Sequence, residues 1–101
     1  MAQPVIWSQE SLDDADAIAA YIHRNSPFYA QHVVEELFSL ADSIAEQPKI
    51  GRVVPELKNE NVRERFIYSY RLIYELREDQ IEILAVIHGR RLLESIENRF
   101  Q

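Results

Sequence analysis

The chain has 101 residues, of which 47% are hydrophobic and none is cysteine. This length suits one compact domain, spanning residues 1–101, and the lack of cysteine excludes disulfides and thiolate chemistry. The N-terminus lacks the basic and apolar regions of an export signal, and no apolar run approaches the roughly 20 residues of a membrane helix, so we expect a soluble cytoplasmic protein.

The net charge of -6 is unevenly distributed along the chain. Residues 1–48 carry one basic residue against eight acidic ones, whereas residues 49–101 carry ten basic residues against nine acidic ones. Eight of those ten are arginine, whose planar guanidinium suits bidentate recognition of phosphate or carboxylate. The second half therefore either presents an arginine surface to a target or uses its arginines in salt bridges to neighbouring glutamates.

The first 25 residues predict a short strand followed by a helix. Residues 4–7 form a β-type run, and Ser8 is a good N-cap with Glu10 in the first turn. Apolar residues then recur at helical spacing: Leu12, Ala15, Ile18, Ala19 and Ile22. We expect this stripe to face the core.

A second helix is expected after a break at residues 25–27. Ser26 can cap it, and Pro27 takes the first helical position, where its missing N–H costs nothing. The apolar side of this helix consists of Ala30, Val33, Val34, Leu37, Leu40, Ala41, Ile44 and Ala45. Because Pro48 and Gly51 end it, the two helices should form a hairpin.

The second half predicts a loop and then three strands. Proline, glycine and asparagine mark residues 49–61 as a connecting loop. Strands are expected at residues 62–67, 70–76 and 81–88, with residues 77–80 as the turn between the last two. Residues 90–99 predict a short C-terminal helix or tail.

The register of the last hairpin determines the two faces of the sheet. If Leu76 faces Ile81, side-chain alternation gives a core face that receives the helices: Tyr70, Leu72, Tyr74, Leu76, Ile81, Ile83, Ala85 and Ile87. The other face is mixed and could carry a functional surface: Arg71, Ile73, Glu75, Glu82, Leu84, Val86 and His88. The predicted fold is α+β, with an N-terminal strand and a helical hairpin packed on one face of a small, mainly antiparallel sheet.

Few residues are candidates for catalysis or for binding a metal or ligand. The three histidines lie on different elements without ligand spacing, so no metal site is expected. No Gly-rich phosphate loop or nucleophile motif is present, and no cofactor is expected. The remaining candidates form a basic group on the strands and just after them: Arg63, Arg65, Arg71, His88, Arg90 and Arg91.

Short motifs lie in a particular order along the chain. They are WS at 7–8, SP at 26–27, PKIG at 48–51, RVVPEL at 52–57, RE at 63–64, YRLIY at 70–74, ILAVIH at 83–88 and GRR at 89–91. Each motif alone is weak, but their order and spacing together resemble the ParE branch of the RelE/ParE toxin superfamily. The resemblance covers most of the chain and implies the toxin of a type II toxin–antitoxin pair.

The resemblance leaves two classes of toxic mechanism open. ParE-like toxins poison DNA gyrase, whereas RelE-like relatives cut messenger RNA in the ribosome. RNA cleavage needs cations on the phosphate and proton-transfer groups, and by position Arg71, Arg91 and His88 would be the candidates. However, the segment LLESIENRFQ at the C-terminus lacks the tyrosine of RelE-like enzymes, and the acidic net charge disfavours an RNA site. We therefore predict a gyrase inhibitor that does not bind nucleic acid directly.

A third class of function is a relative without toxicity that only holds a partner. In either toxic case the resemblance implies a hetero-oligomer with an antitoxin, which would lay an amphipathic helix or an extended segment along the hairpin and the sheet edge. Three aromatic residues at the margins of the helical stripes could receive its apolar anchors: Tyr21, Phe28 and Phe38. The alternative is that these rings thicken the core.

A last expectation concerns where the arginines of the first long strand point. If Ile67 pairs with Arg71, a three-residue connection places Arg63, Arg65, Arg71 and His88 together on the face away from the helices. A two-residue connection, Tyr68 and Ser69, would instead turn Arg63 and Arg65 towards the helices, where unpaired charges are costly to bury. We therefore predict the three-residue connection and the shared basic face.

Overall fold

The computed structural model describes residues 3–91 and 93–100. Two helices and five strands precede a C-terminal 3-10 helix. They are β1 (Val5–Trp7), α1 (Gln9–His23), α2 (Pro27–Glu46), β2 (Arg52–Val53), β3 (Val62–Ile67), β4 (Tyr70–Leu76), β5 (Ile81–His88) and the 3-10 helix (Leu93–Phe100). Within the described residues, neither helix is long and apolar enough to cross a membrane.

The strands form one five-stranded sheet in the order β1-β5-β4-β3-β2. β1 pairs in parallel with β5, and the other neighbours are antiparallel. The predicted α+β fold is confirmed, including the bounds of the three long strands. The expectation that residues 49–61 form only a loop was wrong, because β2 lies within them. A strand of two residues is too short for side-chain alternation to reveal it.

The helical hairpin begins where its caps predict. The Ser8 hydroxyl accepts the Ser11 N–H at 3.1 Å, and the Ser26 hydroxyl accepts the Tyr29 N–H at 3.1 Å. Each bond satisfies a backbone donor that the first helical turn leaves unpaired. The buried residues of the second helix keep the predicted spacing: Ala30, Val33, Leu37, Ala41 and Ile44. This stripe packs α2 onto the sheet.

A β-bulge in β5 moves the side chains after Leu84 to the faces of the sheet opposite to those predicted. Leu76 pairs with Ile81 as expected, but the register shifts between Ile73 and Tyr74, so that Ile73 pairs with Ala85 instead of Leu84. The extra residue moves everything after it to the opposite face. The predicted faces of residues 85–88, which assumed strict alternation along β5, were therefore wrong. Val86 and His88 lie on the helix side, whereas Ala85 and Ile87 lie on the other.

The sheet is buried on both faces. On the helix side, Leu72, Tyr74, Ile81, Ile83 and Val86 pack with the helical stripes. On the opposite side, the 3-10 helix contributes Leu93 and Ile96 to a second cluster that contains Val54, Val62, Ile73, Ala85 and Ile87. The face expected to be open is therefore largely a second core, because the C-terminal segment folds back over it.

An ion pair fixes the C-terminal segment to the first helix. Arg99 Nη1 lies 2.7 Å from Asp14 Oδ2, and the same carboxylate oxygen accepts the Val86 N–H at 3.0 Å. The hydrogen bond to Asp14 raises the pKa of Arg99. Both side chains are mostly buried, so the pair is better shielded from solvent than an ordinary surface salt bridge.

Replacing Tyr74 with phenylalanine should loosen the loop after α2. The buried Tyr74 hydroxyl donates to the Pro48 carbonyl at 2.7 Å and accepts the Gly51 N–H at 3.0 Å. Losing both bonds should lower the free energy of unfolding by about 1–3 kcal/mol, measured by urea denaturation. As the control, Tyr70→Phe removes a hydroxyl that has no hydrogen bond within the described residues. Equal stability of the two variants would contradict this role of Tyr74.

Candidate functional site

The connection between β3 and β4 has two residues. Ile67 pairs with Tyr70, which leaves Tyr68 and Ser69 as the turn. The predicted three-residue connection is therefore wrong. Arg65 lies opposite Leu72, so it is on the helix side of the sheet, whereas Arg71 is on the other side.

The shared basic face does not form. The two-residue turn places Arg63 and Arg65 on the helix side, and the β-bulge places His88 there as well, which leaves only Arg71 on the predicted face. The expected cost of burying unpaired charges on the helix side does not arise, because Arg63 and Arg65 both remain partly exposed. Arg63 also donates to the carbonyls of Lys49, Gly51 and Glu60.

The actual register brings Glu64 and Arg71 together. Glu64 pairs with Ile73, and its carboxylate accepts Arg71 Nε at 2.8 Å. Arg71 also donates from Nη1 and Nη2 to the two carboxylate oxygens of Glu56, at 3.0 and 3.1 Å. The Arg52 guanidinium binds the second oxygen of Glu64 and lies 5.2 Å from the centre of the Phe66 ring. These contacts form a continuous network of two arginines and two glutamates.

Arg71 is fully engaged inside this network. Its side chain is 5% exposed and that of Glu64 is 0% exposed. Burial alone would lower the pKa of Arg71, but the hydrogen bonds to Glu56 and Glu64 outweigh it and raise the pKa. The hydrogen bond from Arg71 likewise lowers the pKa of Glu56. The guanidinium of Arg71 is therefore buried, charged and bound by two carboxylates.

The predicted residues at the end of β5 do come together. The Gly89 N–H donates to the Ser69 carbonyl at 2.7 Å, which joins this segment to the β3–β4 turn. A Cβ atom at Gly89 would lie 3.3 Å from that oxygen, so the approach is tight. The Arg90 N–H donates to Nδ1 of His88 at 3.2 Å, and the Arg91 N–H donates to the His88 carbonyl at 2.9 Å.

Both arginines of this segment are exposed. Arg91 Nε donates to the Ser95 hydroxyl at 3.0 Å, which holds the side chain in place. The Arg90 side chain makes no hydrogen bond or salt bridge within residues 3–91 and 93–100. We call His88, Arg90 and Arg91 the basic sheet end. It is the part of the predicted basic group that the structure keeps together at the surface.

A groove of about 560 Å³ lies beside the basic sheet end. Four tyrosines line it together with apolar residues of both helices and β5, and we call it the tyrosine groove. Its lining includes Tyr21, Tyr29, Tyr68, Tyr70, Ile18, Ile22, Val33, Val86, His88 and Arg91. The Tyr29 and Tyr68 rings meet edge to face at 6.2 Å, and the Tyr70 and His88 rings do so at 6.0 Å. Burial raises the pKa of the Tyr70 hydroxyl above the ordinary value of a tyrosine.

The sequence did not reveal this groove. Tyr29, Tyr68 and Tyr70 belong to α2, a turn and β4, and no local pattern shows that three such elements converge. Of the three aromatics predicted to contact an antitoxin, only Tyr21 lines the groove. Tyr21 is 67% exposed and Phe28 is 84% exposed, whereas the Phe38 ring packs 4.6 Å from that of Trp7.

A family model and a curated relative both match nearly the whole chain. Residues 5–93 match the family described as ParE toxin of type II toxin-antitoxin system, parDE. The chain is 35% identical over 92 residues to Toxin RelE2 of Caulobacter vibrioides, covering 91% of this chain and 100% of that protein.

Solved structures share the fold at lower identity. A chain of the chromosomal ParDE TA system from P. aeruginosa aligns with a TM-score of 0.72 and 18% identity, covering 86% of this chain and 96% of that one. A chain of the toxin-antitoxin complex RelBE2 from Mycobacterium tuberculosis aligns with a TM-score of 0.56 and 20% identity, covering 87% and 99%. At these identities the likeness concerns the fold.

Proposed function

The chain belongs to the ParE toxin family of type II toxin–antitoxin systems, within the RelE/ParE superfamily, and we propose that it inhibits DNA gyrase and is neutralised by a cognate antitoxin. The hydrogen bonds of Arg71 are the observation that favours gyrase over the ribosome as the target. A ribonuclease needs a cation that can turn to the phosphate of its substrate. In this fold, Arg71 directs four hydrogen bonds to the carboxylates of Glu56 and Glu64 instead.

One observation favours the second candidate, a ribosome-dependent ribonuclease. The tyrosine groove brings His88 and Arg91 into the same cavity as Tyr68 and Tyr70. These phenols and the imidazole are potential proton-transfer groups, which the C-terminal segment lacks. Against this candidate stand the engagement of Arg71 and the net charge of -6, which disfavours docking into an RNA site.

The basic sheet end is the proposed contact with gyrase. Arg90 and Arg91 follow the last strand and are exposed, so they can bind a partner without any change in the core. His88 stands beside them and adds a third polar group. Of the other arginines predicted to bind the target, Arg63 and Arg71 are held by contacts within the fold, and Arg65 keeps a partly exposed side chain.

The helical hairpin is the proposed contact with the antitoxin. Tyr21, Phe28 and Phe38 are exposed aromatic rings on α1 and α2, and such rings commonly anchor an amphipathic partner segment. The similar folds in toxin–antitoxin structures support a hetero-oligomer with an antitoxin.

We expect the purified toxin to reduce supercoiling by gyrase, or to accumulate cleaved DNA complexes, while messages on translating ribosomes stay intact. The gyrase assay and the ribosome assay should use the same toxin concentrations. Toxin incubated beforehand with the antitoxin encoded beside its gene is the matched control and should leave supercoiling unchanged. Codon-specific cuts in ribosome-bound RNA, with gyrase unaffected, would reject the gyrase proposal and favour catalysis by His88 and Arg91.

A further inference from the structure

The chain turns just after β5, and three backbone N–H groups hold this turn. The Gly89 N–H donates to the Ser69 carbonyl at 2.7 Å, and the Arg91 N–H donates to the His88 carbonyl at 2.9 Å. The Arg90 N–H donates to the ring nitrogen Nδ1 of His88 at 3.2 Å, so its acceptor is a side chain. A side chain that accepts the N–H two residues further on stabilises a tight turn. The imidazole of His88 therefore helps to set the direction in which both arginines leave the sheet.

The bond to Arg90 requires a particular state of the imidazole. A neutral ring that carries its proton on Nε2 has a free lone pair on Nδ1 and can accept a hydrogen bond there. A protonated ring carries N–H groups on both nitrogens and can only donate. After protonation, the N–H groups of Nδ1 and Arg90 would face each other, so the ring has to rotate away or the turn has to open.

The surroundings of His88 do not compensate for this loss. Its ring is exposed to solvent and packs edge to face against Tyr70. Among the described residues, Asp14 is the one carboxylate that lines a cavity with His88, and it already binds Arg99 and the Val86 N–H. The titratable groups that face the ring from the helices, β4 and the β3–β4 turn are Asp14, Tyr21, Tyr29, Tyr70 and Tyr68.

A proton on His88 would also add a third positive charge beside the two arginines of the basic sheet end. Histidine is the side chain whose charge ordinarily changes between about pH 5 and pH 8. A change of charge at this position therefore falls in a range that a soluble assay can cover. It breaks one bond of the turn and forms no ion pair in exchange.

We propose that His88 is a positioning residue of the target contact: its neutral ring holds the turn that directs Arg90 and Arg91, and its protonation releases that turn. Inhibition of the target should then weaken as the pH falls. The effect on inhibition rests on the proposed function, because it assumes that Arg90 and Arg91 contact gyrase. The hydrogen bond between His88 and Arg90 does not rest on it and is tested on the protein alone.

Nuclear magnetic resonance of the isotope-labelled full-length chain tests the hydrogen bond. At neutral pH, the ring nitrogen shifts should show the proton of His88 on Nε2. A scalar coupling across the hydrogen bond should join the Arg90 amide nitrogen to Nδ1, and it should disappear with the same midpoint as ring protonation. A neutral ring that carries its proton on Nδ1 would overturn the proposal, whatever the target of the toxin is.

Two substitutions of His88 test the positioning role in a gyrase supercoiling assay. His88→Ala removes the acceptor and should raise the toxin concentration for half-maximal inhibition about 3- to 10-fold at neutral pH, the effect of one neutral hydrogen bond. His88→Asn offers an oxygen that accepts the N–H two residues further on but does not titrate. It should restore most of the inhibition that His88→Ala loses. The wild-type chain should weaken by a similar factor between about pH 7.5 and pH 6, whereas His88→Asn should not.

His32→Gln is the matched control, because His32 also titrates but lines neither cavity that contains His88. It should keep the pH profile of the wild-type chain, and gyrase without toxin gives the baseline at each pH. Equal pH profiles for wild type and His88→Asn would overturn the positioning role. Stronger inhibition in acid would overturn it too and make the charged ring a direct contact. A wild-type chain that inhibits gyrase at no pH would reject the proposed function, while the resonance experiment would still decide the hydrogen bond.

Discussion

Replacing Arg71 with alanine is expected to lower the free energy of unfolding by about 3–5 kcal/mol, a large fraction of the stability of a small domain. The substitution leaves the fully buried Glu64 carboxylate without the guanidinium that now binds it. Arg52 cannot take over this role, because its side chain is mostly exposed and binds the other carboxylate oxygen. Urea denaturation followed by circular dichroism would measure the loss.

A double variant distinguishes an unpaired charge from lost packing. Arg71→Met combined with Glu64→Leu removes both charges and keeps apolar volume, so it should recover most of the stability lost by Arg71→Ala. Arg65→Ala is the single-arginine control and should change stability by less than about 0.5 kcal/mol, because Arg65 has no hydrogen bond or salt bridge within the described residues. An Arg71→Ala variant that keeps its stability but loses activity would instead make Arg71 a candidate for the chemistry of the toxin.

The second large effect is expected for Arg90→Ala combined with Arg91→Ala, which should abolish toxicity while the fold survives. Charged hydrogen bonds contribute about 1.5–3 kcal/mol each, so losing two should weaken target binding by roughly 100-fold or more. Neither residue belongs to the buried clusters, and so the melting temperature should change little. Colony counts after induced expression, with circular dichroism of the purified variant, would test both statements.

Arg77→Ala is a suitable control for the double variant. Arg77 begins the β4–β5 turn, at the opposite end of these strands from the basic sheet end, and it forms partly exposed salt bridges with Glu75 and Glu82. Its loss should leave toxicity unchanged. An unfolded double variant would assign Arg90 and Arg91 a structural role, and a folded, fully toxic one would remove them from the target contact.

The elements of the fold were predictable from local signals in the sequence. Ser8 and Ser26 mark the two helix starts, because a cap needs only a hydroxyl beside a free backbone N–H. The three long strands follow from β-type runs bounded by turn residues. Of the predicted basic group, His88, Arg90 and Arg91 lie together at the end of β5 because they are neighbours in sequence, and their role in target binding stays a prediction.

The faces of the sheet were not predictable in the same way. One extra residue at Leu84 and one residue fewer in the β3–β4 turn reversed the sides of His88, Arg63 and Arg65. Both features depend on long-range packing. The register that pairs Ile67 with Tyr70 requires a strained Tyr68, which turn preferences disfavour, yet it gives Glu64 its buried partner Arg71. The contact between Glu64 on β3 and Arg71 on β4 therefore outweighs the unfavourable φ of Tyr68 in the turn.

The link between Asp14 and Arg99 constrains when the molecule can be completed during its synthesis. The two residues are 85 positions apart in sequence, so the carboxylate on the first helix meets its partner only after the 3-10 helix has been made. The second cluster likewise needs Leu93 and Ile96 from the last segment. Because a chain emerges from the ribosome with its N-terminus first, one side of the sheet stays uncovered until the segment that carries Leu93 and Ile96 has emerged. The second core can therefore form only after this segment has been made.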